Sequence, residues 1–264
     1  MSTPTRQRVL LCRQRRAAVQ LRLYCFPHSG GSPGEYLRWA DRLPECVEVW
    51  GAQSPGRGSR LAEPPLTDLR AMADEVARTI EQLGHLPVPY AFFGHSMGAA
   101  VAYETAVALR ARALPGPVKL MVSANGGPVR HRPGLSAESI AAPDFVDRAE
   151  ELYGPLPPVL SGDPALREAY LRTLRADLTA VATYRHTPTA PLDCPITVFG
   201  GAEDRSTAEG DGEEWLATWR HHTSRGCDVH VVSGGHFFFR DRPQAFTDRL
   251  SSELEEYVRR LPRL

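Results

Sequence analysis

The segment Gly94-His95-Ser96-Met97-Gly98, with what flanks it, restricts the possible folds of this chain more than any other feature. It is a G-x-S-x-G pattern. An apolar run at residues 90–93 precedes it, and an Ala-rich run of helical character, 97–113, follows. A chain that turns abruptly from strand to helix holds its turn residue in a strained conformation, and flanking glycines relieve the crowding. The side chain of Ser96 then projects above the carboxyl edge of a sheet, at a helix N-terminus. The Met97 N–H beside it can donate to a developing oxyanion.

The rest of the chain has the rhythm such a turn requires. Strand-like runs at 19–26, 47–53, 89–93, 117–124, 196–199 and 228–232 alternate with helical patterns at 67–83, 97–113, 213–222 and 243–261. In the first of these helices Leu69, Met72, Ala73, Val76, Ile80 and Leu83 recur at three- and four-residue steps. Thr67 is a candidate for its cap. Strands alternating with helices predict an α/β fold: a mostly parallel central sheet with helices on both faces.

Residues 125–191 break the rhythm. They hold no strand-like run, are rich in proline, and carry helical patterns at 143–152 and 164–184. An insertion of ~60 residues is too long for an ordinary crossover loop. It reads as a helical lid at about 126–190 within one domain spanning 19–264. Residues 1–18 read as a flexible tail, basic through Arg6, Arg8, Arg13, Arg15 and Arg16, with no acid before Glu35.

Composition closes off other classes. Basic and acidic residues balance at 31 each among 264, so nothing points to nucleic acid or to an anionic membrane. No apolar window reaches ~20 residues, and none has the pattern of a signal peptide. Five cysteines, Cys12, Cys25, Cys46, Cys194 and Cys227, fall in no metal-binding spacing. Their odd number argues against a disulfide framework and fits a cytoplasmic protein.

A serine hydroxyl needs a base to act as a nucleophile. Of nine histidines, His236 stands in Ser233-Gly234-Gly235-His236-Phe237, after the last strand-like run and before the last helix. The base needs an orienting carboxylate. Asp204 follows the strand at 196–199, with Glu203 as its rival. The stretch Ser123-Ala124-Asn125-Gly126-Gly127, where such an acid can also stand, has none. The chain order Ser96, Asp204, His236 is that of a Ser-Asp-His set on a strand–turn–helix fold. A second oxyanion donor is expected from the Gly-rich loop Pro27-His28-Ser29-Gly30-Gly31, with the Ser29 N–H as candidate and His28 as a support of that loop.

Taken in order, several segments resemble the type II thioesterases of polyketide and non-ribosomal peptide synthesis, on the α/β-hydrolase fold. They are Phe26-Pro27-His28-Ser29-Gly30-Gly31, Ser54-Pro55-Gly56-Arg57 with Arg60 and Glu63-Pro64, Phe93–Ala99, Leu174-Arg175-Ala176-Asp177 with Tyr184, Gly201 with Asp204, and Gly234–Phe238. They span about residues 20–255. The resemblance implies an editing hydrolase that removes stalled or aberrant acyl groups from the phosphopantetheine arm of acyl or peptidyl carrier proteins. It carries the nucleophile to Ser96, the acid to Asp204 and the base to His236, and it implies no metal or organic cofactor. Two departures stand out: Ser29 where the family often has Ala, and the Arg-rich N-terminal extension.

Further expectations concern the surroundings. Phe145, Leu152, Tyr153, Leu156, Val159, Leu160, Leu171, Leu174 and Leu178 of the lid are candidates to line an acyl chamber. Arg57, Arg60, Arg130, Arg132 and Arg185 are candidates to meet an acidic carrier protein at its mouth. A monomer is expected. The competing readings are a broad small-molecule carboxylesterase, a chain-releasing thioesterase and a catalytically inert binding protein.

Overall fold

The structure is a computed structural model and describes residues 9–84, 88–130, 134–206 and 212–260. Its strands are β1 (Leu10–Leu11), β2 (Leu21–Phe26), β3 (Val47–Ala52), β4 (Tyr90–His95), β5 (Lys119–Ser123), β6 (Ile196–Gly201) and β7 (Cys227–Val232). The helices are α1 (Gly34–Leu37), α2 (Leu69–Gln82), α3 (Met97–Ala111), α4 (Ala137–Ala141), α5 (Phe145–Tyr153), α6 (Pro164–Thr183), α7 (Gly212–Ala217), α8 (Phe238–Asp241) and α9 (Pro243–Arg260).

All seven strands form one sheet in the order β1-β3-β2-β4-β5-β6-β7. Every neighbouring pair is parallel except β1 with β3. Successive side chains of a strand point to opposite faces, so each central strand feeds two cores. Tyr24, Phe26, Tyr90 and Phe92 pack with α2 and α3 on one face. Leu23, Cys25, Ala91 and Phe93 pack with α1, α8 and α9 on the other. Strands buried on both sides read as continuous apolar runs, which is why they were legible without alternation.

Local details differ from the sequence expectations in ways that have causes. Asp68, not Thr67, caps α2: its carboxylate accepts from the amides of Arg70 and Ala71. An anion there also complements the helix dipole. The pattern at 213–222 divides into α7 and a 3-10 turn over Thr218–His222.

The N-terminal expectation of a flexible tail does not hold for residues 9–18. Leu10 and Leu11 pair with Ala52 and Gly51. Val9 and Leu10 are buried. The fully buried carboxylate of Glu48 draws the basic segment in, accepting from the Arg16 amide at 3.0 Å and pairing with Arg15 at 3.2 Å. Arg6 and Arg8 lie outside the described residues.

Between β5 and β6, α4, α5 and α6 gather around a small core of their own, with Leu135, Ile140, Phe145, Ala149, Leu174, Leu178 and Ala182. Near its C-terminal end α6 joins the main core through Ala180, followed by Tyr184. No helix among the described residues is long and apolar enough to cross a membrane. All five cysteines are free thiols, Cys25 and Cys194 buried.

Candidate active site

Ser96 sits between β4 and α3 with φ 55° and ψ −119°, a conformation that side chains other than glycine rarely adopt. The ladder holds up to the turn: His95 pairs with Ser123, and the Ser96 amide donates to the Ser123 carbonyl at 2.8 Å. A side chain at residue 98 is excluded, because a Cβ there would stand 1.9 Å from the Phe26 carbonyl oxygen. Gly98 thus lets the loop after β2 lie directly against the start of α3. That contact brings Ser29 and Ser96 to the wall of one cavity.

His236 borders the same cavity. Its Nδ1 lies 2.9 Å from Asp204 Oδ2, and both side chains are buried. Since the carboxylate accepts, Nδ1 carries the proton, and Nε2 is left as an acceptor. Glu203 is turned elsewhere and accepts from the Gly234 amide. Asp204, not its rival, therefore reaches the imidazole.

Ser206, which is not among the expected site residues, completes this arrangement. Its amide and hydroxyl donate to Asp204 Oδ1 at 2.9 and 2.7 Å, and its Oγ is 3.1 Å from His236 Nδ1. An Asp binding the backbone two residues on is an Asx-turn, so Asp204-Arg205-Ser206 carried a readable signal.

Two other histidines surround the site as neutral groups. His28 Nε2 is 3.3 Å from an Arg240 nitrogen, which can only donate, so Nε2 accepts. Its Nδ1 then donates to the Tyr36 hydroxyl at 2.9 Å. Burial, then the positive charge of Arg240, holds His28 well below the ordinary histidine range. His95 is lowered in the same way by burial and by His236, and its Nδ1 bonds the Ser123 hydroxyl. Neither has the carboxylate partner that His236 has.

The cavity beside Ser96 is narrow, about 60 Å³. Of the nine lid residues expected to line a chamber, Tyr153, Leu156, Leu174 and Leu178 do so. Phe145, Leu152 and Leu171 pack within the lid core instead. Val159 and Leu160 face an adjoining groove, where Val159 is exposed. Tyr170 and Arg240 line the cavity as well, outside the expected set. Arg240 stacks on Phe237 at 3.8 Å and pairs with Glu35.

The expected Arg rim is also revised. Arg57 and Arg60 are buried, because internal carboxylates claim them: Asp177 for Arg57, Glu63 and Glu75 for Arg60. Arg185 remains exposed, while Arg132 and the side chain of Arg130 lie outside the described residues. Among the described residues there is no group of three or more His, Cys, Asp or Glu able to hold a metal ion.

A parallel sheet with a strained serine at the β4–α3 turn, and a helical insertion after β5, defines an α/β-hydrolase. The thioesterase-domain family model matches residues 21–254, and the chain belongs to the thioesterase family. It is 33% identical over 240 residues to the gramicidin S biosynthesis protein GrsT of Aneurinibacillus migulanus, covering 90% of each chain. The solved structure of RedJ, a thioesterase from the prodiginine pathway of Streptomyces coelicolor, superposes with a TM-score of 0.78 at 35% identity, covering 92% of this chain and 89% of that one. YbtT, a type II thioesterase from the yersiniabactin pathway, gives 0.77 at 26% identity, over 92% and 96%. The resemblance to type II thioesterases of polyketide and non-ribosomal peptide pathways thus extends across nearly the whole chain.

Proposed function

We propose that this thioesterase hydrolyses acyl thioesters held on the phosphopantetheine arm of acyl or peptidyl carrier proteins, as an editing enzyme, by Ser-His-Asp catalysis. His236 Nε2 accepts the Ser96 hydroxyl proton as Oγ attacks the thioester carbonyl. Asp204 holds the imidazole in the reactive tautomer and stabilises its charged form. The amides of Met97 and Ser29 receive the oxyanion. The C–S bond breaks and the pantetheine thiol leaves with the proton from His236. Water, deprotonated by His236, then hydrolyses the acyl-Ser96 ester to a free acid and restores the hydroxyl. No step calls on a metal or an organic cofactor, and the reaction suits a cytoplasmic monomer.

The observation that carries this reading is the buried His236–Asp204 pair bordering the same cavity as a strained Ser96. The test compares three substrates: an acyl carrier-protein thioester, the same acyl group on N-acetylcysteamine, and its p-nitrophenyl ester. The expected order of kcat/KM places the carrier-protein thioester first. Faster turnover of the free oxygen ester, with no gain from the carrier, would overturn the reading in favour of a carboxylesterase. Cyclised product instead of free acid would identify a chain-releasing enzyme.

A further inference from the structure

The lid helix α6 and the loop that carries Ser29 are joined by a buried network. Asp177 lies on α6 and is fully buried. Its Oδ2 accepts from the Gly30 amide at 2.7 Å, and its Oδ1 accepts from Arg57 Nη2 at 2.7 Å. Arg57 Nη1 donates in turn to the Gly31 carbonyl at 2.8 Å. One turn earlier on α6, Thr173 Oγ1 donates to the Gly56 carbonyl at 2.8 Å, tying down the residue before Arg57.

We propose that Asp177 and Arg57 are positioning residues that orient the Ser29 amide, making the lid helix part of the oxyanion site. This rests on the assignment of the Ser29 N–H as a donor in the proposed mechanism. The Gly31 amide donates to the His28 carbonyl at 2.9 Å, closing a four-residue turn, His28–Gly31. Gly30, the third residue of that turn, has φ +71°, the signature of a type II turn. In a trans peptide the His28 carbonyl and the Ser29 N–H point in opposite directions. The turn hydrogen bond therefore sets the direction of the Ser29 N–H. The next peptide, between Ser29 and Gly30, is the one that turns over between type I and type II turns. Asp177 Oδ2 holds its N–H in place. Ser29 is thus fixed on both sides, on one by the turn and on the other by a carboxylate from the lid.

Stability is a poor explanation for the pair. Burying two charges carries a desolvation penalty, and apolar replacements of such pairs are often neutral or stabilising. Orientation is what a guanidinium bridging Asp177 and the Gly31 carbonyl, and a carboxylate with two separate partners, supply that leucine cannot.

The test uses full-length Asp177→Asn and the paired replacement Asp177→Leu/Arg57→Leu, the second chosen so that no unpaired buried charge is left to unfold the chain. Ser96→Ala is measured alongside. A displaced donor is expected to lower kcat about 10- to 100-fold with KM within about threefold. Affinity for an acyl trifluoromethyl ketone, whose hemiketal oxyanion occupies the same site, falls by the same factor. A purely structural role would lower thermal stability without that parallel. Wild-type kcat and ketone affinity in both variants, with Ser96→Ala inactive, would overturn the clamp and leave the nucleophile assignment standing. Hydrolysis by Ser96→Ala would instead overturn the nucleophile assignment. Native-state hydrogen exchange of the wild-type Gly30 amide needs no variant. Protection is expected, and exchange at the rate of an open loop overturns the clamp.

Discussion

The two oxygens of the Asp204 carboxylate face different residues: Oδ2 meets His236 Nδ1 at 2.9 Å, while Oδ1 receives the amide and hydroxyl of Ser206. The two interactions have separable consequences. Asp204→Asn removes the charge and reverses the preferred tautomer of His236, so kcat is expected to fall about 10⁴-fold. Ser206→Ala leaves the charge and removes one hydroxyl bond, so a loss of about tenfold or less is expected. Steady-state kinetics on an acyl thioester separates the two, and equal losses would contradict this division.

Ser96→Ala is expected to abolish hydrolysis of carrier-bound acyl groups while leaving the fold intact. Its φ of 55° is strained for serine and alanine alike, so the melting temperature should change little. Acyl-enzyme trapping, read by intact-mass spectrometry, should label wild type once and this variant not at all.

Gly98→Ala tests the contact between the loop after β2 and the start of α3. The added Cβ would meet the Phe26 carbonyl oxygen at 1.9 Å, and backbone is the least able to move aside. Destabilisation by at least about 2 kcal/mol is expected, with loss of activity in whatever folds. Denaturant titration reads the first and single-turnover kinetics the second.

Acid should destabilise the protein through its buried histidines. His222 accepts the Val129 amide on Nε2, and burial with neighbouring His186 and His221 lowers its pKa to about 4. Unfolded, it titrates near 6.5, so between these values the unfolded chain binds a proton that the folded chain refuses. Stability is therefore lost as pH falls from about 6.5 to about 4, and is untouched by this group above that window. A drop of that size is worth on the order of 3 kcal/mol. His28 and His95, also lowered, act in the same direction. Melting temperature against pH should show the fall, and His222→Gln should flatten part of it.

Tyr153 of the lid stands with its ring 5.0 Å from that of His236 and lines the cavity beside Ser96. Tyr153→Ala enlarges the chamber and should shift preference toward longer acyl chains. One methylene is worth about 1–3 kcal/mol in an apolar site. A chain-length series of acyl-N-acetylcysteamine substrates would register the shift as a change in the kcat/KM profile.

The parts of this molecule legible in its sequence are those set by near neighbours along the chain. The turn at Ser96 is announced by the strand before it and the helix after it. Asp204 and His236 are each marked by the strand they follow. What the sequence conceals depends on distant partners. Glu48 pins Arg16 across 32 positions, so a basic stretch read alone looks like a tail. Arg57 and Arg60 count as surface charge until Asp177, Glu63 and Glu75 are placed against them. Asp177 could be quoted as part of a motif, yet its role depends on Gly30, 147 positions away. Tyr170 and Arg240 reach the cavity from the lid and from α8, and only the packing of those elements brings them there.

The short pairing of Leu10 and Leu11 with β3 bears on how the chain can be shortened. β3 is buried along its whole length, and β1 occupies the side of it that faces away from β2. A truncation that begins after residue 18 would uncover the end of β3 that β1 pairs, Gly51 and Ala52, together with the Gln53 amide that the Val9 carbonyl accepts. Such an edge recruits strands from other molecules. Trimming for expression should therefore stop before Val9, so that this end of β3 keeps its own partner and stays closed to other chains.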